Sequence, residues 1–234
     1  MAQLALVTGA AHRLGKTLAL TLARLGYDLI LHYYSAEEEA RQTQREIESL
    51  NRRATLAQAD LTEPSEIQSL ISTFESLAVL VNSAAFMPAG DVDILSLENW
   101  NASLDLNLRA PFLLAQQCAP KMTTGGLIIN ITDVGAQKTW SRYPSYTVSK
   151  AGLETLTKIL ARALAPEIRV NAIAPGFVLQ SDIVSADEWD RLVNRIPLKR
   201  SGSGEEIASA LEFLLKNEYI TGQTIVVDGG YSLV

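Results

Sequence analysis

With 234 residues, 47% of them hydrophobic, the chain suits one α/β domain with a large core. A formal charge of −6 without basic clusters argues against nucleic acid or an acidic membrane surface as partner. The single cysteine, Cys118, excludes an internal disulfide, two histidines leave no zinc-type cluster and hence no expected metal, and no apolar stretch nears the roughly 18 residues of a membrane helix.

Short apolar runs alternate with longer amphipathic ones, the pattern of βα units around a parallel sheet. In chain order the expected strands are 4–8, 28–33, 55–59, 79–82, 127–132, 169–174 and 224–228. Helices are expected between them at 14–25, 36–51, 64–77, 97–121, 146–165 and 204–215. The first run, MAQLALVTG, is too short for a signal peptide and has no basic n-region, so a cytoplasmic protein is expected. Near-continuous apolar strands such as LIIN imply burial on both faces, between helices. The expected architecture is one Rossmann-type, doubly wound parallel sheet of about seven strands flanked by helices, spanning 1–234. The rhythm breaks at 176–204, where a long excursion after a strand end suits a substrate loop; a surface helix with flanking loops is the other reading.

The segment LALVTGAAHRLGKTLAL reads as strand, turn and helix. Gly9 allows a tight turn, and Gly15 lets the helix start close against the sheet. The helix amino terminus offers free N–H groups and a positive dipole end to a pyrophosphate. A nucleotide-triphosphate loop needs four residues between its glycines, whereas five separate Gly9 from Gly15. Further on, Tyr146 and Lys150 stand four apart on one helix face. With the dinucleotide turn and Asn107, they suggest proton delivery beside a hydride donor.

These segments together resemble the short-chain dehydrogenase/reductase family, whose turn runs Thr-Gly-x-x-x-Gly-x-Gly. Thr8, Gly9 and Gly15 match it, with Arg13 at the usual middle glycine and Leu14 beside it. The resemblance implies that Arg13 reaches toward the adenosine ribose, where a guanidinium suits the 2′-phosphate of NADP. The second strand ends in His32, Tyr33, Tyr34 and Ser35, with no carboxylate before Glu37 to hold two ribose hydroxyls, which also favours NADPH; His32, Tyr33 and Ser35 are taken as cofactor contacts. Asp60 and Leu61 stand where the family meets adenine. Asn82, Ser83 and Ala84 occupy its Asn-Asn-Ala-Gly segment, and Pro175 and Gly176 its nicotinamide side. Asn107 corresponds to its helix-bending asparagine, implying a held water that relays protons to Lys150. The resemblance extends over almost the whole chain and implies a homotetramer built on the helices at 97–121 and 146–165.

The site chemistry follows. A hydride leaving a nicotinamide creates negative charge on the acceptor, which must gain a proton. Tyr146 is the expected donor, and Lys150 supplies a cation that lowers the pKa of its phenol. Thirteen residues before the tyrosine, where most of the family has a serine, stands Asp133. An ionised carboxylate would repel a developing alkoxide, but it suits a substrate with N–H donors or a ring nitrogen to be protonated. Arg13, Asp133, LHYYS and DGGYSLV resemble the pteridine reductase branch, which reduces pterins or folates with NADPH; Phe86 is then the aromatic residue that stacks on the pterin. That branch often has an arginine in its second-strand segment, and this chain has none there. The rival readings are a carbonyl reductase, such as a 3-oxoacyl-carrier-protein reductase, and a non-catalytic NADP-sensing protein.

Overall fold

The strands are β1 (Leu4–Val7), β2 (Asp28–Tyr33), β3 (Ala54–Gln58), β4 (Leu77–Asn82), β5 (Met122–Ile131), β6 (Ile168–Pro175) and β7 (Thr224–Val227). They form one sheet in the order β3-β2-β1-β4-β5-β6-β7, with every neighbouring pair parallel. The structure, a computed structural model, describes residues 3–180 and 184–234; of the expected substrate loop, 181–183 lie outside the described residues.

Side chains alternate across the sheet because successive strand residues face opposite ways. Ala5 and Val7 join one core, Leu6 the other. The first core lies under helices α1 (Arg13–Arg24) and α2 (Glu37–Ser49), with Leu18, Leu22 and Ile47 buried. The second lies under α3 (Pro64–Ser72), through Ile67, Leu70 and Ile71. Burying one large aliphatic side chain contributes roughly 1.5–3 kcal/mol, so these two layers hold the sheet against its conformational entropy.

The helix expected at 97–121 is interrupted. It comprises α4 (Leu97–Leu104), a π-helical turn at Asp105–Arg109, α5 (Ala110–Cys118) and a 3₁₀ turn at Ala119–Lys121. In the π turn the Ala110 amide donates to the Asp105 carbonyl, one residue beyond the α-helical register. The helix expected at 64–77 also ends early, at Ser72, because Leu77 is already paired with Met122 in the sheet. That pairing explains why β5 starts five residues before the expected 127.

Two helices follow β5, the short α6 (Gly135–Lys138) and the long α7 (Pro144–Leu164), which has proline in its first turn where no N–H partner is needed. Helix α8 (Ala186–Arg195) forms within the 176–204 segment, its Glu188 amide capped by Ser185. Helix α9 (Gly204–Lys216) starts with a capping box, Ser203 with Glu206, and closes the first core through Leu211 and Leu214. α5 and α7 add Leu114 and Leu160 to the second core. Because β1 and β4 are neighbours while the chain winds away from them in opposite directions, the carboxyl ends of these strands open a crevice at the switch point.

Candidate active site

The first wall of the crevice is the turn after β1. Gly9 has φ +64°, a left-handed conformation natural to glycine. At Gly15 a Cβ would come within 2.1 Å of the Gly9 carbonyl oxygen, so only glycine lets α1 start this close to the turn. His12 precedes α1 in extended conformation with no side-chain cap, and no acidic residue stands in the first turn. The amino-terminal N–H groups of α1 therefore face outward with their dipole uncompensated by the protein, which fits a pyrophosphate of a dinucleotide. The Thr8 hydroxyl accepts from the Ser83 and Ala84 amides at 2.9 and 3.0 Å, binding the segment after β4 to this turn. Thr8 is legible in the sequence as part of the turn, but this bond joins it to residues 75 and 76 positions away.

The residues expected to contact the cofactor from the second strand divide. Ser35 is exposed at the crevice rim. Tyr33 is 7% exposed and packs with Ala11 and Ala40. His32 is 2% exposed, and both of its ring nitrogens are held by protein: Nδ1 lies 3.1 Å from the Gly9 amide and Nε2 3.0 Å from the Ala59 carbonyl. Both side chains thus sit beneath the surface they were expected to form, because every residue of β2 is covered by neighbouring layers. Asp60 accepts from the Thr62 amide and hydroxyl, and Leu61 is buried in the second core.

Arg13 is exposed, with φ +53°. Its guanidinium, expected to face the ribose, donates instead to the carbonyls of Leu179 and Gln180 at 3.0 and 3.1 Å. Leu14 packs partly buried against the first core. On the nicotinamide side, the Pro175 carbonyl accepts from the Val134 amide and the Gly176 amide donates to Val227. Asn82 is buried and donates to Asn130, which donates to Thr157 on α7; Asn82 Oδ1 has no partner.

Asn107, in the π turn, is fully buried. Its Oδ1 accepts from the Phe86 amide and its Nδ2 donates to the Phe86 carbonyl, both at 2.8 Å. Nδ2 also lies 3.1 Å from Ser103 Oγ and 3.0 Å from Ser149 Oγ. The side chain expected to hold a water is occupied with protein groups: it grips the Phe86 peptide and braces α7 one residue before Lys150. Phe86 itself is 39% exposed.

At the centre, Tyr146 donates to Asp133 Oδ2 at 2.9 Å. Asp133 Oδ1 accepts from the Gly135 amide at 2.7 Å, a local Asx turn that orients the carboxylate. Lys150 is 2% exposed, donates to the Ile131 carbonyl at 2.7 Å, and holds its Nζ 5.6 Å from the Tyr146 ring centre. Thus the end of β5 and the first turns of α7 bring together the three groups expected from the sequence.

The electrostatics differ from the expectation for Tyr146. Burial, then the charge and hydrogen bond of Asp133, push its phenol well above the ordinary value, so the hydroxyl stays protonated. Lys150 was expected to lower it; burial and, after it, the adjacent carboxylate set the direction instead. Burial raises the Asp133 carboxyl, against the pull of the Gly135 amide, Tyr146 and Lys150. Burial lowers Lys150 to about 8, opposed by Asp133. Such a cluster can hold and pass a proton near neutral pH.

Beyond Asp133 lies an aromatic cluster that the sequence reading missed. Trp140 stacks on Phe177 at 6.2 Å between ring centres, and Phe177 meets Trp189 and Tyr231 edge-on at 5.6 and 4.8 Å. The Trp140 indole covers Gly135, where a Cβ would come within 2.7 Å of it. No periodic signal links these residues, which come from four separate segments. Among the described residues, no group of three or more His, Cys, Asp or Glu could hold a metal, and no helix is long and apolar enough to cross a membrane.

The chain is similar to known proteins in sequence and in fold. Residues 9–232 match the family described as Enoyl-(Acyl carrier protein) reductase. The chain is 36% identical over 237 residues to the 3-oxoacyl-[acyl-carrier-protein] reductase FabG of Staphylococcus epidermidis, covering 97% of each chain. The structure of FolM Alternative dihydrofolate reductase 1 from Brucella canis, complexed with NADP, is similar with TM-score 0.93 and 32% identity, over 99% of this chain and 94% of that one. The angucycline C-6 ketoreductase LanV with bound NADP is similar with TM-score 0.94 and 27% identity, over 99% and 96%.

Proposed function

The chain belongs to the short-chain dehydrogenase/reductase family, and on that premise we propose that it is an NADPH-dependent reductase of a pterin- or folate-type ring, taking a dihydropteridine to a tetrahydropteridine. The observation that carries this reading is the carboxylate of Asp133 accepting from the Tyr146 hydroxyl. The similar structures that hold NADP support the cofactor, and FolM supports the substrate class. The uncapped start of α1 and the exposed Ser35 would hold the dinucleotide. When bound, NADPH supplies the hydride.

The residues then have distinct tasks. Reduction of a C=N bond adds a hydride to carbon and a proton to nitrogen. Tyr146, kept protonated by burial and by Asp133, donates that proton through its hydroxyl. Asp133, with one oxygen fixed by Gly135, accepts a hydrogen bond from the ring's N–H groups or shares the proton of Tyr146. Lys150, lowered to about 8, remains largely cationic at neutral pH and restores the phenol. The exposed ring of Phe86 offers a stacking face, and the 176–204 segment serves as the substrate loop.

The FabG and LanV likenesses support a second reading, reduction of a ketone. Replacement of Asp133 by serine separates the two. With a pterin substrate, Asp133→Ser removes a charge-assisted hydrogen bond worth roughly 1.5–3 kcal/mol and lowers pterin reduction about ten- to hundredfold. Its NADPH affinity stays near the parent's. A ketone reductase would gain turnover instead, since serine donates to a carbonyl oxygen where a carboxylate cannot. Dihydrobiopterin, dihydrofolate and an acetoacetyl thioester are the substrates to compare. Faster thioester reduction by Asp133→Ser, with a parent inactive on both pteridines, would overturn the pterin reading and leave the reductase.

We also propose a homotetramer. Leu104, Leu108, Phe112 and Leu156 line an apolar groove of about 330 Å³ where the π turn meets α7, and Leu97 and Ile159 are exposed on the same pair of helical regions. Light scattering at micromolar concentration tests it, and a mass near the 25.4 kDa of one chain would sink it.

A further inference from the structure

His32 lies under the phosphate turn and is bonded on three sides. Its ring Nδ1 is 3.1 Å from the Gly9 amide nitrogen, and its backbone carbonyl accepts from the Ala10 amide at 2.9 Å. Two consecutive amides of the turn therefore end on one residue. The third contact, ring Nε2 to the Ala59 carbonyl at 3.0 Å, reaches the end of β3, one residue before Asp60. A backbone amide can only donate, so Nδ1 must be a bare lone pair. Ala59 can only accept, so Nε2 must carry the proton. The neutral ring, in one tautomer, satisfies both partners; either other protonation state sets two donors or two acceptors against each other.

From this we infer that His32 is a positioning residue for dinucleotide binding: its imidazole, without touching the cofactor, holds Gly9 in the conformation that aims the turn and the start of α1 at the pyrophosphate. The inference rests on the NADPH reading above. Gly9 carries the left-handed φ of the turn, and its carbonyl lies where any Cβ on Gly15 would collide. A small rotation of the Gly9 peptide would thus press on the start of α1. Burial keeps the ring neutral, lowering its pKa against the opposing pull of the Ala59 carbonyl and the Asp60 carboxylate. An ordinary strand residue at this position would leave the half-buried Gly9 amide without its protein partner.

The two ring contacts can be removed separately. His32→Asn places an amide oxygen where Nδ1 stands and leaves nothing at Nε2. His32→Gln reaches the Nε2 position with an amide donor and leaves nothing for Gly9. NADPH binding to each variant, followed by the fluorescence of the reduced nicotinamide, is expected to weaken about tenfold for His32→Gln and less than about threefold for His32→Asn. In turnover the loss should fall on the KM for NADPH rather than on kcat. Melting temperatures of the two variants should drop by similar amounts, since each loses one buried hydrogen bond. The nitrogen NMR shifts of the parent's imidazole provide a measurement independent of any variant's folding, and should show a proton on Nε2 with Nδ1 bare. Equal loss of NADPH affinity in both variants, or a proton on Nδ1, overturns the assignment. A parent that binds no NADPH overturns the cofactor reading and this inference together, whereas a parent that binds it normally while both variants do too overturns this inference alone.

Discussion

The corner around Gly9, after β1, and the corner around Tyr146, beside the end of β5, are separated in the sheet by β4 alone, yet they are stabilised in opposite ways. Around Gly9 the contacts are neutral hydrogen bonds between backbone groups, the Thr8 hydroxyl and the His32 ring, with glycine contacts that leave no room for a side chain. The Gly9, Ser83 and Ala84 amides each have an acceptor without a charge, so these contacts are indifferent to pH while His32 stays neutral. Around Tyr146 three ionisable groups share one buried pocket, and burial works against the charged form of every one of them. That arrangement costs stability. The difference teaches that one corner is built on satisfied groups and the other on frustrated ones, as the proposed division between binding and chemistry would need.

The comparison makes its largest demand on Lys150. Lys150→Met removes a buried ammonium and its hydrogen bond to Ile131, and turnover should fall on the order of 10²–10⁴-fold. Yet the protein should become more stable at pH 7, by roughly 1–3 kcal/mol, because charging a desolvated lysine opposes folding. The sign follows from the pKa of about 8, depressed below the ordinary lysine value. Below about 8 the unfolded and folded states both carry the proton and the full cost is present. As pH rises from there toward the unfolded value near 10.4, the cost fades, and the advantage of the variant fades with it. Denaturant titrations of both proteins at pH 7 and pH 9.5 read this directly. An equal loss of stability at both pH values would show that Lys150 belongs with the satisfied groups.

A smaller effect is expected at Arg13, on the rim of the corner around Gly9. Its left-handed backbone costs an arginine roughly 1 kcal/mol, which glycine does not incur. Arg13→Gly should therefore melt within a few degrees of the parent even though two hydrogen bonds to Leu179 and Gln180 are lost. Its preference for NADPH over NADH in kcat/KM should fall by about tenfold, or 1.4 kcal/mol, through the KM for NADPH. A 2′-phosphate would then be competing with those two carbonyls for the same guanidinium. Unchanged preference would assign Arg13 to holding the segment after β6 and nothing more.

Much of the site could be read without coordinates. Tyr146 and Lys150, one helical turn apart, and Asp133, at the end of an apolar strand, are local features, and they meet because β5 and α7 are adjacent. The glycine spacing of the first turn was equally legible, since a backbone at φ +64° and a 2.1 Å approach have local chemical signatures. What could not be read is the direction in which each side chain spends its hydrogen bonds. Asn107 was visible as a helix-bending residue, but its grip on the Phe86 peptide joins positions 21 apart. The four aromatic residues beyond Asp133 share no period at all.

What the sequence by itself determined is the winding of the fold and the types of group in the site. Apolar periodicity sets strands and helices, and turn glycines and paired side chains are local in the chain. Only the tertiary structure decided how burial and neighbours bias the protonation of those groups, and which partners His32, Tyr33 and Arg13 hold. Burial and partners set these, and both depend on which distant segments pack on each side chain. A phenol expected to have its pKa lowered by a lysine is held protonated, because it is buried and hydrogen-bonded to a carboxylate.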